Sequence, residues 1–160
     1  MRRSMVMAND SAAGLTTEYV TVTIGDHLFG LPIFRVQDVF VPARVTRVPL
    51  APPEVAGILN LRGRVVTAID MRCRLDLGAR PPGMPVMAIG IELKGEFYGL
   101  MVDSVGEVLQ LQNAACEANP ANLDAGLARV AAGIYRLEGQ LMVVLDVDRV
   151  LDIRNGALAA

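Results

Sequence analysis

Between residues 18 and 24 the chain alternates. Val20, Val22 and Ile24 fall on one side and Tyr19, Thr21 and Thr23 on the other, the period-two pattern of a half-buried strand. Gly25-Asp26 follows as a turn signal and leads into a second strand over 27–33. The arrangement returns at 86–93, with a turn at Lys94-Gly95 and a partner strand over 96–102. β-Branched segments at 39–41 and 45–48, punctuated by Pro42 and Pro49, predict further short strands, and Ala51-Pro52-Pro53-Glu54 a turn or a single helical turn. Segments 58–61 and 65–69 read as strands joined at Gly63, and 134–137 and 141–145 as strands joined at Gly139. The spacing then becomes helical in MRCRLDL and VDRVLDI. Asp70 and Asp146 precede these segments, each placed to accept a bond from a free backbone N–H at a helix start.

These parallels are a duplication. Phe29-Gly30-Leu31 with Val36, Asp38 and Val39 recurs as Tyr98-Gly99-Leu100 with Val105, Glu107 and Val108, and AGILNLRGRVVTAIDMRCRL (56–75) recurs as AGIYRLEGQLMVVLDVDRVL (132–151). Residues common to both copies are expected to build the scaffold, and residues present in one copy become candidates for function. Each copy supplies about five short strands and a helical turn. Gly30 and Gly99, in mid-strand, are expected to mark bulges or bends of the kind that close a small barrel. Each copy alone is near the lower limit for a self-sufficient core, so the two are expected to pack together. The expected layout is a flexible tail over 1–15, one domain over 16–154 and a frayed end at 155–160. Within the domain a first barrel is expected at about 18–80 and a second at about 84–153, joined by the linker Arg80-Pro81-Pro82-Gly83. An Ala- and Asn-rich insertion at 112–127 predicts a loop or short helix.

Composition narrows the function. Fifteen basic and seventeen acidic residues are interspersed, with a net charge of −2, which leaves no basic footprint for nucleic acid or an anionic membrane. The chain is 52% hydrophobic, yet no apolar run approaches the ~20 residues of a membrane-spanning helix. That much apolar surface suits burial against partners. Cys73 and Cys116 sit in unrelated contexts, forming neither a disulfide framework nor a metal knuckle, and MRRSMVMANDSAAG holds no apolar core of a secretory signal. His27 is the only histidine and Lys94 the only lysine. No nucleophile–base pair, metal constellation or phosphate loop is visible, so no catalytic residue and no cofactor is assigned. Asp70 and Asp146 could be read as paired catalytic carboxylates, but their equivalent repeat positions favour a shared capping role.

The copies differ at one informative place: Asn60-Leu61-Arg62-Gly63 against Arg136-Leu137-Glu138-Gly139. Leu61 and Gly63 belong to the scaffold, whereas Asn60 and Arg62 are unique to one copy. Arg62 suits a bidentate contact to a partner carboxylate, or an internal salt bridge with Asp38 or Glu54; the two roles are compatible. Val36, Asp38 and Val39 form a mixed apolar and acidic patch suited to docking, part of it expected to be core because it is repeated.

The string GILNLRGRVVTAIDMR, with GDHLFGLPIFRVQDV and GLMVDSVGEVL, resembles the CheW family of chemotaxis coupling proteins over about 18–153. Thr67 stands where that family often has proline. The resemblance implies a mostly β fold: two five-stranded SH3-like β-barrels related by pseudo-symmetry, with short helices. It implies a non-enzymatic cytoplasmic adaptor between methyl-accepting chemoreceptors and the regulatory domain of a CheA-type histidine kinase, reaching membrane receptor arrays only through partners. By position, Asn60 and Arg62 match its partner-binding motif, and Val36, Asp38 and Val39 the surface used near kinase and receptor contacts. Gly57 and Val108 are placed near the groove where the receptor docks. An adaptor of another chemosensory pathway, or a double barrel that binds a small molecule, is the alternative.

Overall fold

The computed structural model describes residues 15–153, so the expected tail before Leu15 and the expected frayed end lie outside the described residues. Ten strands form: β1 (Thr16–Ile24), β2 (His27–Pro32), β3 (Val36–Phe40), β4 (Val55–Leu61), β5 (Arg64–Asp70), β6 (Met87–Leu93), β7 (Glu96–Val102), β8 (Ser104–Gln112), β9 (Ala131–Leu137) and β10 (Gln140–Leu145). Three single-turn helices accompany them: α1 (Met71–Arg74), α2 (Ala125–Ala128) and α3 (Val147–Val150). The strands make two five-stranded sheets, ordered β8-β1-β2-β10-β9 and β3-β6-β7-β5-β4.

The sheets are not the two contiguous halves expected from the repeat. Strands β3 to β7 form one sheet by themselves, while β1 and β2 join β8, β9 and β10 in the other. Each copy therefore places its first two strands in one sheet and its last three in the other. The seams are the two parallel pairings, β2 with β10 and β5 with β7. The split at 18–80 and 84–153 is corrected accordingly: the chain crosses between sheets at Ile33–Arg35 and again at Asp103. Arg80–Gly83 connects α1 to β6, so it joins parts of one sheet rather than two barrels. This exchange suits units too small to hold separate cores, because each sheet then buries residues of both copies.

Each sheet curls until its two edges meet. Beyond β3 the chain returns to bond β4, where Thr46 and Ile58 exchange N–H···O bonds of 2.7 and 2.8 Å. Beyond β8 it bonds β9, where Glu117 and Ile134 do the same at 2.8 and 2.9 Å. The expected strand at 45–48 is reduced to that single bridge. Pro42, Pro49 and the left-handed Arg44 (φ 57°) stop a ladder from propagating.

Gly30 and Gly99 are not bulges. Their register with β1 and β6 runs uninterrupted. They are small because neighbours cover them: a Cβ at Gly30 would lie 2.5 Å from the Met142 methyl, and one at Gly99 would lie 3.2 Å from the Phe40 ring. The bulges fall elsewhere, including β3 between Val36 and Asp38 and the β1–β8 pair opposite Val20 and Val22. In β3 the extra residue lets Val36 pack on the core shared by both sheets, while Phe40 turns into the interior of its own sheet. Asp70 and Asp146 cap α1 and α3 as expected, accepting from Cys73 N and Arg149 N at 3.2 Å each. The 112–127 segment carries a 3-10 turn at Asn113–Ala115 and α2.

The apolar residues form a shared core between the sheets, around Phe29, Leu31, Ile69, Ile89 and Leu100, and one smaller cluster inside each curled sheet. The β3–β7 sheet encloses Phe40, Leu59, Val66, Ala68 and Ala88, and the other encloses Tyr19, Tyr135, Met142 and Val144.

Candidate functional site

The hairpin between β4 and β5 turns on two residues. Arg62 (φ 54°) and Gly63 (φ 81°) both lie in the left-handed region, the signature of a two-residue turn that matches the strand twist. Asn60 fixes its entry, its Oδ1 accepting from Gly63 N at 2.9 Å. The turn sends the Arg62 side chain across the closure of the sheet to β3, where Nη1 donates to Asp38 Oδ2 at 2.6 Å. The other Asp38 oxygen accepts from Val39 N at 2.9 Å. Of the two carboxylates considered for Arg62, the structure brings up Asp38.

Arg62 is 74% exposed, so the pair is solvent-screened and is worth at most about 1 kcal/mol to the fold. An arginine held at a strained φ, its side chain oriented by an ion pair that contributes little stability, is a surface feature better suited to a partner than to the core.

The remaining expected site residues separate. Val36 is half-buried against the shared core. Val39 and Val108 occupy equivalent exposed positions, 39% and 47%, but on the edge strands of different sheets. Gly57 is buried and is a correction to the expected docking set. Its φ of 152° and the approach of the Thr46 carbonyl leave no room for a Cβ, so it serves the closure of the sheet, as does Gly133 in the other copy. Sequence reading missed Phe34 and Val41, exposed by 76% and 68% on either side of β3. Phe34 lies in the 3-10 crossover, where no periodicity marks which side chains face water.

Beside the Arg62–Asp38 pair the same sheet opens into a pocket of about 200 Å³ with Phe40, Val66 and Phe97 among its walls. Arg64 lies with its guanidinium 4.0 Å above the Phe97 ring. His27 is an exposed strand-start residue, and both cysteines are exposed. Among the described residues no group of three or more His, Cys, Asp or Glu could hold a metal, and no helix is long and apolar enough to cross a membrane.

Two curled five-stranded sheets sharing a core, with Phe34, Val39 and Val41 exposed and Arg62 oriented by Asp38, define a mostly β double-sheet domain. The CheW-like domain model matches residues 18–155, and the chain belongs to that family. It is 28% identical to the chemotaxis protein CheW of Rhizobium meliloti, covering 83% of this chain and 86% of the relative. It is 25% identical to that of Helicobacter pylori over 84% and 81%. Its fold is similar to the crystal structure of the scaffolding protein TtCheW from Thermoanaerobacter tengcongensis, with a TM-score of 0.77 and 26% identity, covering 88% of this chain and 95% of that one.

Proposed function

We propose that this protein is a non-enzymatic chemotaxis adaptor that couples methyl-accepting chemoreceptors to a CheA-type histidine kinase, with Arg62, Asp38, Asn60 and Val39 on the partner-facing rim. It works in the cytoplasm, reaching membrane receptor arrays through the receptors' cytoplasmic tips and contacting the kinase through its regulatory domain. It binds no nucleic acid and inserts no segment into the membrane. Val108, at the equivalent place on the other sheet, supplies a second apolar contact.

The observation that carries the reading is the asymmetry of the rim. Where one copy has Asp38 and Arg62 paired at 2.6 Å, the other has two acidic residues, Glu107 and Glu138, at the equivalent positions. The scaffold is duplicated and this pairing is not, since the other sheet's exposed pair, Arg136–Glu117, joins different positions, which supports a role for Arg62–Asp38 outside the fold. Apolar anchors such as Val39 would carry most of the affinity, with the charged pair setting fit and selectivity.

The test is kinase autophosphorylation in a reconstituted mixture of receptor, kinase and this protein. Arg62→Asn keeps a residue that tolerates the left-handed turn while removing the charge. The expected result is ligand-sensitive kinase activation with the native protein, a loss of tenfold or more in coupling with Arg62→Asn, and no rescue by the charge swap Asp38→Arg/Arg62→Asp. Full coupling by the swapped protein would make the pair purely structural, and absence of any kinase response to the folded native protein would overturn the partner assignment.

A further inference from the structure

The two curled sheets are built from equivalent positions, yet they are filled differently. Tyr19, Tyr135, Met142 and Val144 pack the interior of one. At four equivalent positions the β3–β7 sheet carries the smaller Ala88, Leu59, Val66 and Ala68, while Phe40 stands where the other copy has Leu109 and covers Gly99 as Met142 covers Gly30. A pocket of about 200 Å³ opens beside Phe40, Val66 and Phe97, at the place where Val66 replaces the longer Met142. A volume of about 200 Å³ has room for a single ring and a short substituent.

The rim of the pocket is also particular to this copy. Asp38 is satisfied on both oxygens, by Arg62 and by Val39 N. Arg64 forms no salt bridge with any described residue, and its guanidinium carbon lies 4.0 Å from the Phe97 ring centroid, a contact that leaves its N–H donors available. In the other copy Gln140 and Leu28 replace Arg64 and Phe97. Phe40, Val66 and Phe97 beside an arginine with no salt bridge to a described residue select a ligand with an apolar body and an anionic end, Gln37 and the Arg62–Asp38 pair completing the wall.

We propose that the pocket inside the β3–β7 sheet binds a small aromatic carboxylate, its ring between Phe40 and Phe97 and its carboxylate on Arg64. The site goes beyond the adaptor reading and does not depend on it, since it is a property of the isolated chain. Its place next to Arg62 and Asp38 puts a bound ligand within reach of the rim, giving small metabolites a route to influence docking.

The test is a titration of the isotope-labelled protein with phenylacetate, followed by amide chemical shifts. Saturable shifts centred on Phe40, Val66 and Phe97 are expected, with a Kd of about 1 mM for a ligand of this size. The neutral isostere phenylacetamide is expected to bind about tenfold more weakly. Val66→Met, which copies Met142, is expected to abolish the shifts by filling the space. The exposed Arg64→Gln, which copies Gln140 and leaves the core untouched, is expected to weaken phenylacetate about tenfold and phenylacetamide hardly at all. Absence of saturable shifts at 20-fold the expected Kd, shifts mapping elsewhere, or equal affinity for acid and amide would overturn the proposal.

Discussion

The two curled sheets share strand count, closure and crossover, and differ in what fills and rims them. One is packed to its centre: Tyr19 and Tyr135 lie with ring centroids 5.4 Å apart and hydroxyls at 3.4 Å, and burial and the Tyr19 hydroxyl push the Tyr135 phenol well above its usual range. Arg136 closes its edge, its Nε at 3.0 Å from both Glu117 oxygens. The other sheet centres on Phe40 with smaller residues around it, keeps a pocket, and closes its edge with the Arg62–Asp38 pair. Duplication supplied two copies of one solution to folding. Because each sheet takes strands from both copies, the two must stay folded together, and they differ only in what fills and rims each sheet.

The largest effects should come where the closures differ. Both edges meet over a glycine, but a Cβ on Gly57 would strike the Thr46 backbone carbonyl, and φ there is 152°. A Cβ on Gly133 would lie 2.7 Å from the Cys116 side chain and 2.9 Å from Glu117 O, with φ outside the left-handed region. Backbone strain and a rigid clash combine in the first case, whereas in the second the nearest atom is a side chain that can rotate. Gly57→Ala is expected to destabilise by about 3 kcal/mol or more and Gly133→Ala by about 1–2 kcal/mol, read as urea unfolding midpoints. Equal losses would remove the distinction drawn between the two closures.

The crossovers offer the next comparison, because related positions carry ion pairs of reversed sense. At one, Arg72 of α1 donates to Asp103 through Nη2 and Nε at 2.6 and 3.0 Å, with side chains only 12% and 7% exposed, and Gly25 N adds a bond of 2.8 Å. At the other, Asp148 of α3 meets Arg35 at 3.0 Å, but the Asp148 side chain is 65% exposed. Removing one partner of the first pair leaves a buried charge unpaired; the second is screened by water. Arg72→Ala is expected to cost about 3 kcal/mol and Arg35→Ala under about 1 kcal/mol. Burial pushes the Asp103 carboxyl upward, but the hydrogen bonds from Arg72 and Gly25 and the charges of Arg72 and Arg80 outweigh it and hold the group below its usual range. A depressed folded-state pKa contributes stability above the ordinary carboxylate range, lost as pH falls from about 4 towards the folded value. Unfolding measured from pH 6 down to pH 2.5 is expected to show that loss in the native protein and a shallower one in Asp103→Asn.

Much of this was legible in the chain and some was not, for physical reasons. Alternation located β1, β2, β6 and β7 because each presents one face to a core, and capping chemistry located α1 and α3 through Asp70 and Asp146. The repeat revealed a duplicated scaffold but not the exchange of strands. Pairing between β2 and β10 joins residues more than a hundred positions apart, and local pattern carries no information about it. The same limit hid the glycines' purpose, since Gly30 and Gly99 are small for neighbours that only the tertiary fold brings up. Arg62 was singled out by asymmetry between the copies and Asp38 by its mixed apolar and acidic patch, and their meeting follows from closure of the sheet. The pocket had no sequence signal, because Phe40, Val66 and Phe97 lie on different strands that only the folded sheet brings together.

The smallest expected effect sharpens the comparison at the hairpin tips. Arg62 sits at φ 54°, whereas Glu138, its counterpart, is not among the described residues with positive φ; only Gly139 beside it is, at 84°. A non-glycine residue in the left-handed region carries about 1 kcal/mol of strain, and a glycine elsewhere lowers stability by about 0.5–1 kcal/mol through the unfolded chain. Arg62→Gly relieves strain while losing an exposed ion pair, so its unfolding midpoint is expected to match the native one within about 0.5 kcal/mol. Glu138→Gly relieves nothing and is expected to lose about 0.5–1 kcal/mol. Coupling should move the other way: Arg62→Gly loses kinase activation while remaining the more stable of the two, and Glu138→Gly retains it. A native arginine at a turn position where glycine would be as stable is retained for what it contacts, and the opposite ordering of activity in these two variants would assign Arg62 to the turn alone.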